Sequence, residues 1–262
     1  MSAILLEGQI VHYEVLGRGR PIIFLHGWVG SWRYWISSMQ VASTSFRAYG
    51  LDLWGFGESA RDPRRYSIDQ QTDLLSRFLD EMGIGKVAIV GHGLGALVGF
   101  NFCSRWTQSV DRIMAVNSPM YYDSINARLR TAPIADLVNW LVSKTPEAAT
   151  ALADATKADP QAITESISSF QSNGLFGKMR QTQIPCLLVH GLNDPAIPAP
   201  PADNSINLPH MMHHFVLEGS GHFPMIDETA RFNRLLTDFL ALDSGVSPRE
   251  LQMKDEWKRR VR

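Results

Sequence analysis

His222 and Asp194 are residue types suited to general acid–base chemistry, and each stands in a glycine-marked turn behind an apolar run. Asp194 closes Gly191-Leu192-Asn193-Asp194, with Pro198 just beyond, and His222 lies in Gly219-Ser220-Gly221-His222-Phe223. Two more turns share that setting: His26-Gly27-Trp28-Val29-Gly30 after PIIFL, and Gly91-His92-Gly93-Leu94-Gly95 after KVAIV. The second of these joins an apolar strand to a helix of small residues, where free helix N-terminal amides can meet a negative charge. Its tip is Gly93. A turn shaped to present a reacting group presents no side chain.

Four turns this far apart act together only if the elements bring them to one edge. The stretch ILLEGQIVHYEVLG predicts a strand pair, and PIIFL a strand covered on both faces. Helical spacing follows over Trp32 to Met39, then a strand near Phe46 to Leu53. A helix over SIDQQTDLLSRFLDEMG puts Ile68, Leu74, Leu75, Phe78, Leu79 and Met82 largely on one face, with Gly83 as its stop. The strand KVAIV, a helix from Leu94 to Arg105 and the strand RIMAVN complete this half. The alternation predicts a mostly parallel α/β sheet with helices on both faces, whose C-terminal strand ends share one crevice.

The alternation stops at Ser118-Pro119 and resumes with IPCLLVHG, then MHHFVLEG and a helix from about Asp227 to Leu240. The expected organisation is a core of residues 1–118 and 184–242, with a helical cap insertion, 119–183, over the sheet's C-terminal edge. A charged tail, 243–262, is expected to be helical. Met253, Trp257 and Val261 recur there at i, i+4 and i+8, which suits either homo-oligomer docking or packing on its own chain.

The 262 residues are 45% hydrophobic and 19% charged, with a formal net charge of -1, so a nucleic-acid partner is not expected. The longest apolar run, around Val87 to Phe102, is broken by His92 and four glycines, which excludes a membrane span there. Cys103 and Cys186 match no metal or redox spacing, and the N-terminal segment lacks a basic flank. A cytoplasmic setting is the expectation.

Taken in order, the HGxxG loop at 26–30, DLWGFGES at 52–59, the turn at 91–95, the late acid and the late histidine resemble the α/β-hydrolase superfamily from about residue 4 to 242. The resemblance implies an α/β-hydrolase fold and a nucleophile elbow in which Gly91, His92 and Gly95 surround the serine position. Gly93 stands in the serine's place. The resemblance further casts His222 as general base, Asp194 as its orienting carboxylate, and the Trp28 and Leu94 amides as oxyanion-hole donors. Those donors belong to the main chain and survive loss of the serine side chain. No metal or organic cofactor is implied.

Three readings of function follow. A His222–Asp194 dyad could activate water, or abstract a proton in a lyase-type step, on a small, mostly apolar ester or carbonyl substrate. The fold could instead hold a ligand without turnover, or a natural serine at 93 could have been exchanged for glycine. His26, Trp54, Trp140, Phe170 and Phe176 are candidate pocket residues, beside Trp28. His92 is expected to turn from Gly93 into the surrounding packing, and His26 to hold its own loop. Asp52 reads as structural, and Asp123 as a weaker acid candidate than Asp194. His210, His213 and His214 lack a metal-ligand spacing. GHGLGA also fits a relaxed dinucleotide fingerprint, but the next strand ends AVNSP, without the required carboxylate.

Overall fold

The computed structural model describes residues 2–170, 174–200 and 207–251; of the tail expected to be helical over 243–262, residues 243–251 form turns with a short 3-10 turn at Pro248–Glu250, and the rest lies outside them. Eight strands form one sheet: β1 Ser2–Leu6, β2 Gln9–Gly17, β3 Arg20–Leu25, β4 Phe46–Leu51, β5 Val87–His92, β6 Val110–Val116, β7 Cys186–Gly191 and β8 Met212–Leu217. Their order is β1-β2-β4-β3-β5-β6-β7-β8. The β1–β2 and β2–β4 pairs are antiparallel and all later pairs parallel, as the alternation predicts. Every residue of β5 and β7 is buried, which is why these strands read as unbroken apolar runs.

The helices are α1 Ile36–Ala42, α2 Ile68–Glu81, α3 Leu94–Arg105, α4 Arg128–Thr131, α5 Ile134–Leu141, α6 Pro146–Ala151, α7 Pro160–Phe170, α8 Leu175–Met179, α9 Pro224–Asp227 and α10 Thr229–Ala241. α2 begins where Ser67 Oγ accepts the Gln70 amide, a cap worth about 1 kcal/mol, and the chain leaves it through Gly83. α3 is buried from Leu94 to Cys103 because it lies between the sheet and its neighbours α2 and α8. Its one buried amide, Asn101, donates to Asp69 and Thr72 of α2.

The strand ends that carry the four turns are laced directly together. The Gly93 amide donates to the Val116 carbonyl, Gly95 to His26, and Asn117 to Val189, each at 2.8–3.0 Å. Between β6 and β7, α4 to α8 carry no strand among the described residues.

Candidate active site

At the β5–α3 turn Gly93 takes φ +48° and ψ −108°, a geometry that typically costs a residue with a Cβ about 1–3 kcal/mol. Gly91 permits the crossing itself, since a Cβ there would come within 2.5 Å of the Ala96 nitrogen. The space above Gly93 is filled. A Cβ on Gly93 would lie 3.1 Å from Trp28 Cζ3 and 3.2 Å from Cε3. The Trp28 indole is fully buried, and its N–H donates to Ser166 Oγ of α7 at 3.0 Å. The Trp28 and Leu94 backbone amides have no acceptor among the described residues.

His222 and Asp194 come together behind β8 and β7, with Nδ1 2.9 Å from Oδ2 and both side chains without solvent exposure. The carboxylate is held on every side: Oδ1 accepts the Ala196 and Ile197 amides, and Oδ2 also accepts Asn117 Nδ2–H at 2.8 Å. With Asp194 accepting at Nδ1, His222 carries its proton there and leaves a lone pair on Nε2. That Nε2 is buried with no hydrogen-bond partner among the described residues.

Asn117 is a member of the candidate site that the sequence reading missed. It leaves β6 with φ +41°, a conformation asparagine tolerates better than most residues. Its Nδ2 is shared among Asp194 Oδ2 and the carbonyls of Gly221 and His222, while Oδ1 accepts the Gly191 amide. One side chain thus joins the Asp194 loop to the His222 loop. The sequence showed only an asparagine at a strand end, and nothing in its neighbours marked it.

His92 is buried, as expected, but the packing it enters is that of His222. Its ring lies 4.7 Å from the His222 ring, and its Nδ1 is 2.9 Å from the Tyr34 hydroxyl. That hydroxyl accepts the Gly27 amide at 2.5 Å. His26 locks the preceding loop: Nδ1–H donates to the Gly27 carbonyl and Nε2 accepts the Leu53 amide. Burial lowers the pKa of His26 and holds it neutral in this role.

A cleft of about 670 Å³ opens beside His222. Trp140, Ser143, Thr145 and Glu147 line one side, and Asn193, Gly221, His222 and Asp227 the other. This lining is more polar than the sequence reading expected, and it contains carboxylates but no lysine or arginine. Of the candidate pocket residues only Trp140 lines it. Trp54 is buried beneath the Arg65 guanidinium, and Phe170 and Phe176 are buried in helix packing. An aromatic residue that packs a core and one that lines a pocket have the same sequence signature, so spacing alone could not separate them.

Asp52 serves structure, taking His12 Nδ1 and the Trp32 and Glu58 amides, while Asp123 is exposed in a short turn. His214 Nε2 faces His190 Nδ1 at 3.1 Å. No group of three or more potential metal ligands occurs among the described residues. Nor is any described helix long and apolar enough to cross a membrane.

A parallel sheet with its turns gathered at one edge, a strand–glycine–helix elbow and a late histidine–aspartate pair define a class. The chain belongs to the alpha/beta hydrolase fold family, whose model matches residues 20–159. It is 25% identical to a 2-hydroxy-6-oxo-6-(2'-aminophenyl)hexa-2,4-dienoic acid hydrolase of Metapseudomonas resinovorans, over 92% of this chain and 90% of that protein. It is 24% identical to a Yersinia enterocolitica protein provisionally called the carbamate hydrolase RutD, over 93% and 96%. Among solved structures, a serine-to-glycine variant of the N-acyl homoserine lactonase AidH, complexed with N-hexanoyl homoserine lactone, superposes with a TM-score of 0.79. The identity there is 20%, over 91% of this chain and 96% of that one, a likeness of fold.

Proposed function

We propose that this chain is a hydrolase that activates water with the His222–Asp194 dyad and makes no covalent serine intermediate. The observation that carries the reading is the buried 2.9 Å dyad contact, with His222 Nε2 left free to take a proton. Asp194 fixes the tautomer and stabilises the imidazolium that forms. Nε2 removes a proton from water as the water oxygen bonds to the substrate carbonyl carbon. The carbonyl oxygen becomes an oxyanion that the Trp28 and Leu94 amides can receive. Collapse of that intermediate breaks the bond to the leaving group, which takes the proton back from His222. Gly93, at the serine position, contributes an unstrained turn.

The helical segment between β6 and β7 acts as a cap over this edge. Its cleft, with Glu147 and Asp227 in the lining, favours a small uncharged or cationic ester, carbamate or activated carbonyl over an anionic one. A second reading has its own support. Trp28 fills the space above Gly93, as a silent ligand-binding protein would allow.

Hydrolysis of an activated short-chain ester and of an aryl carbamate by the parent, His222→Ala and Gly93→Ser separates these readings. Turnover by the parent that falls by about 10²–10⁴-fold in His222→Ala supports water activation. Turnover by Gly93→Ser alone supports a silent scaffold or an exchanged serine.

A further inference from the structure

The loop that offers the Trp28 amide and the loop that carries His222 are connected by two side chains that the dyad mechanism does not use. Tyr34, in the short helical turn Trp32–Trp35, accepts the Gly27 amide on its oxygen. Its own proton therefore goes to His92 Nδ1, 2.9 Å away. Burial raises the Tyr34 pKa well above its ordinary value, so the phenol keeps that proton. With Nδ1 accepting, neutral His92 must hold its proton on Nε2. Burial first, and then the neighbouring His222, lowers the His92 pKa well below its ordinary value and keeps it neutral. His26 opposes its charge in the same direction.

The protonated Nε2 of His92 is buried without a hydrogen-bond partner among the described residues. The His92 and His222 rings pack at 4.7 Å and 60°, and Phe223 closes edge-on against His222. Asp194 restrains only one nitrogen of His222. Rotation of the imidazole about its Cβ–Cγ bond needs a second restraint, because a general base must be held within about 10–20° of its productive orientation.

We propose that His92, with its tautomer set by Tyr34, is a positioning residue that braces His222 and ties the base to the Gly27–Trp28 loop. The proposal rests on the dyad reading for its catalytic meaning, but not for its test. A phenylalanine at 92 would fill a similar volume without an acceptor for the Tyr34 hydroxyl. A glutamine keeps a carbonyl acceptor at comparable reach.

The test is proton and ¹⁵N NMR of the full chain with labelled histidine. The parent is expected to show His92 as the Nε2–H tautomer and a slowly exchanging His222 Nδ1–H. In His92→Phe and Tyr34→Phe that proton is expected to exchange about tenfold faster, the effect of losing roughly one hydrogen bond of local stability. His92→Gln is expected to restore slow exchange. A Nδ1–H tautomer at His92, or an unchanged His222 proton in both variants, overturns the proposal. If His92→Phe does not fold, Tyr34→Phe decides alone, since it removes a single hydroxyl. A parent with these signals but no turnover defeats the hydrolase reading and leaves the brace standing; turnover with an unmoved His222 proton does the reverse.

Discussion

Replacing Gly93 with serine tests the elbow, the indole above it and the base in one experiment. At φ +48° a side chain brings about 1–3 kcal/mol of backbone strain. Its Cβ would sit 3.1 Å from Trp28 Cζ3, so the indole must retreat by a few tenths of an ångström against its hydrogen bond to Ser166. That displacement lies at the low end of overpacking costs, about 1 kcal/mol. Together these give about 2–4 kcal/mol of destabilisation, or roughly 4–8 °C in Tm for a chain of this size. Calorimetry of parent, Gly93→Ser, Trp28→Phe and the double variant should return a coupling of about 1 kcal/mol between the two sites. In the same variant a serine hydroxyl enters the elbow, so a fluorophosphonate probe should label Gly93→Ser and not the parent. Additive stabilities, or a Gly93→Ser chain as stable as the parent, would refute the placement of the indole over a strained turn. The expected coupling without labelling would refute the reading of residue 93 as the nucleophile position.

Asp194→Asn should leave the fold intact at a cost of about 1–3 kcal/mol, because one buried acceptor of amide hydrogens becomes a donor. It should also cut any His222-dependent turnover by about 10⁴-fold through the wrong tautomer, read as kcat beside a denaturation curve. Asn117→Leu should lower stability by about 2–4 kcal/mol, since the Gly191 amide and the Gly221 and His222 carbonyls lose their shared partner. Urea titration checks this, and a change under about 0.5 kcal/mol would contradict the hub. Burial lowers His190 to about 4 and His214 to about 3, from 6.5. The unfolded chain therefore binds more protons below pH 6.5, and stability should fall as pH drops from there toward 3. His214→Gln should flatten that slope, and a parent profile level from pH 6.5 to 5 would speak against it. Ser166→Ala should cost about 1 kcal/mol and free the indole, seen as altered Trp28 fluorescence against a Trp28→Phe reference.

Much of the scaffold was legible in one dimension because its signals are local. Burial on both faces writes β5 and β7 as apolar runs, and an amphipathic face with Ser67 before it and Gly83 after it marks α2. The elbow was legible for a different reason. Gly91 and Gly95 are demanded by backbone contacts within the turn and with Leu25, so the spacing of the glycines records the geometry directly. His222 and Asp194 were singled out by their glycine-marked turns after apolar strands and by the family resemblance, and the structure brings them into contact.

What only the tertiary structure decided was who touches whom across that edge. Asn117 gained its role from four partners on two other strand ends, at sequence separations of 74 to 105 residues. His92 was read correctly as buried, but its neighbours, His222 and Tyr34, come from opposite ends of the chain. Trp28 was placed by its amide, while its indole was fixed by Ser166, 138 residues away. The polarity of the cleft was set by which faces of α5, α6 and α9 meet. Local pattern determines which elements form and where they turn, because propensity and burial act over a few residues. The chemistry at the sheet's edge depends on side-chain contacts between those turns, and no local pattern encodes such a contact.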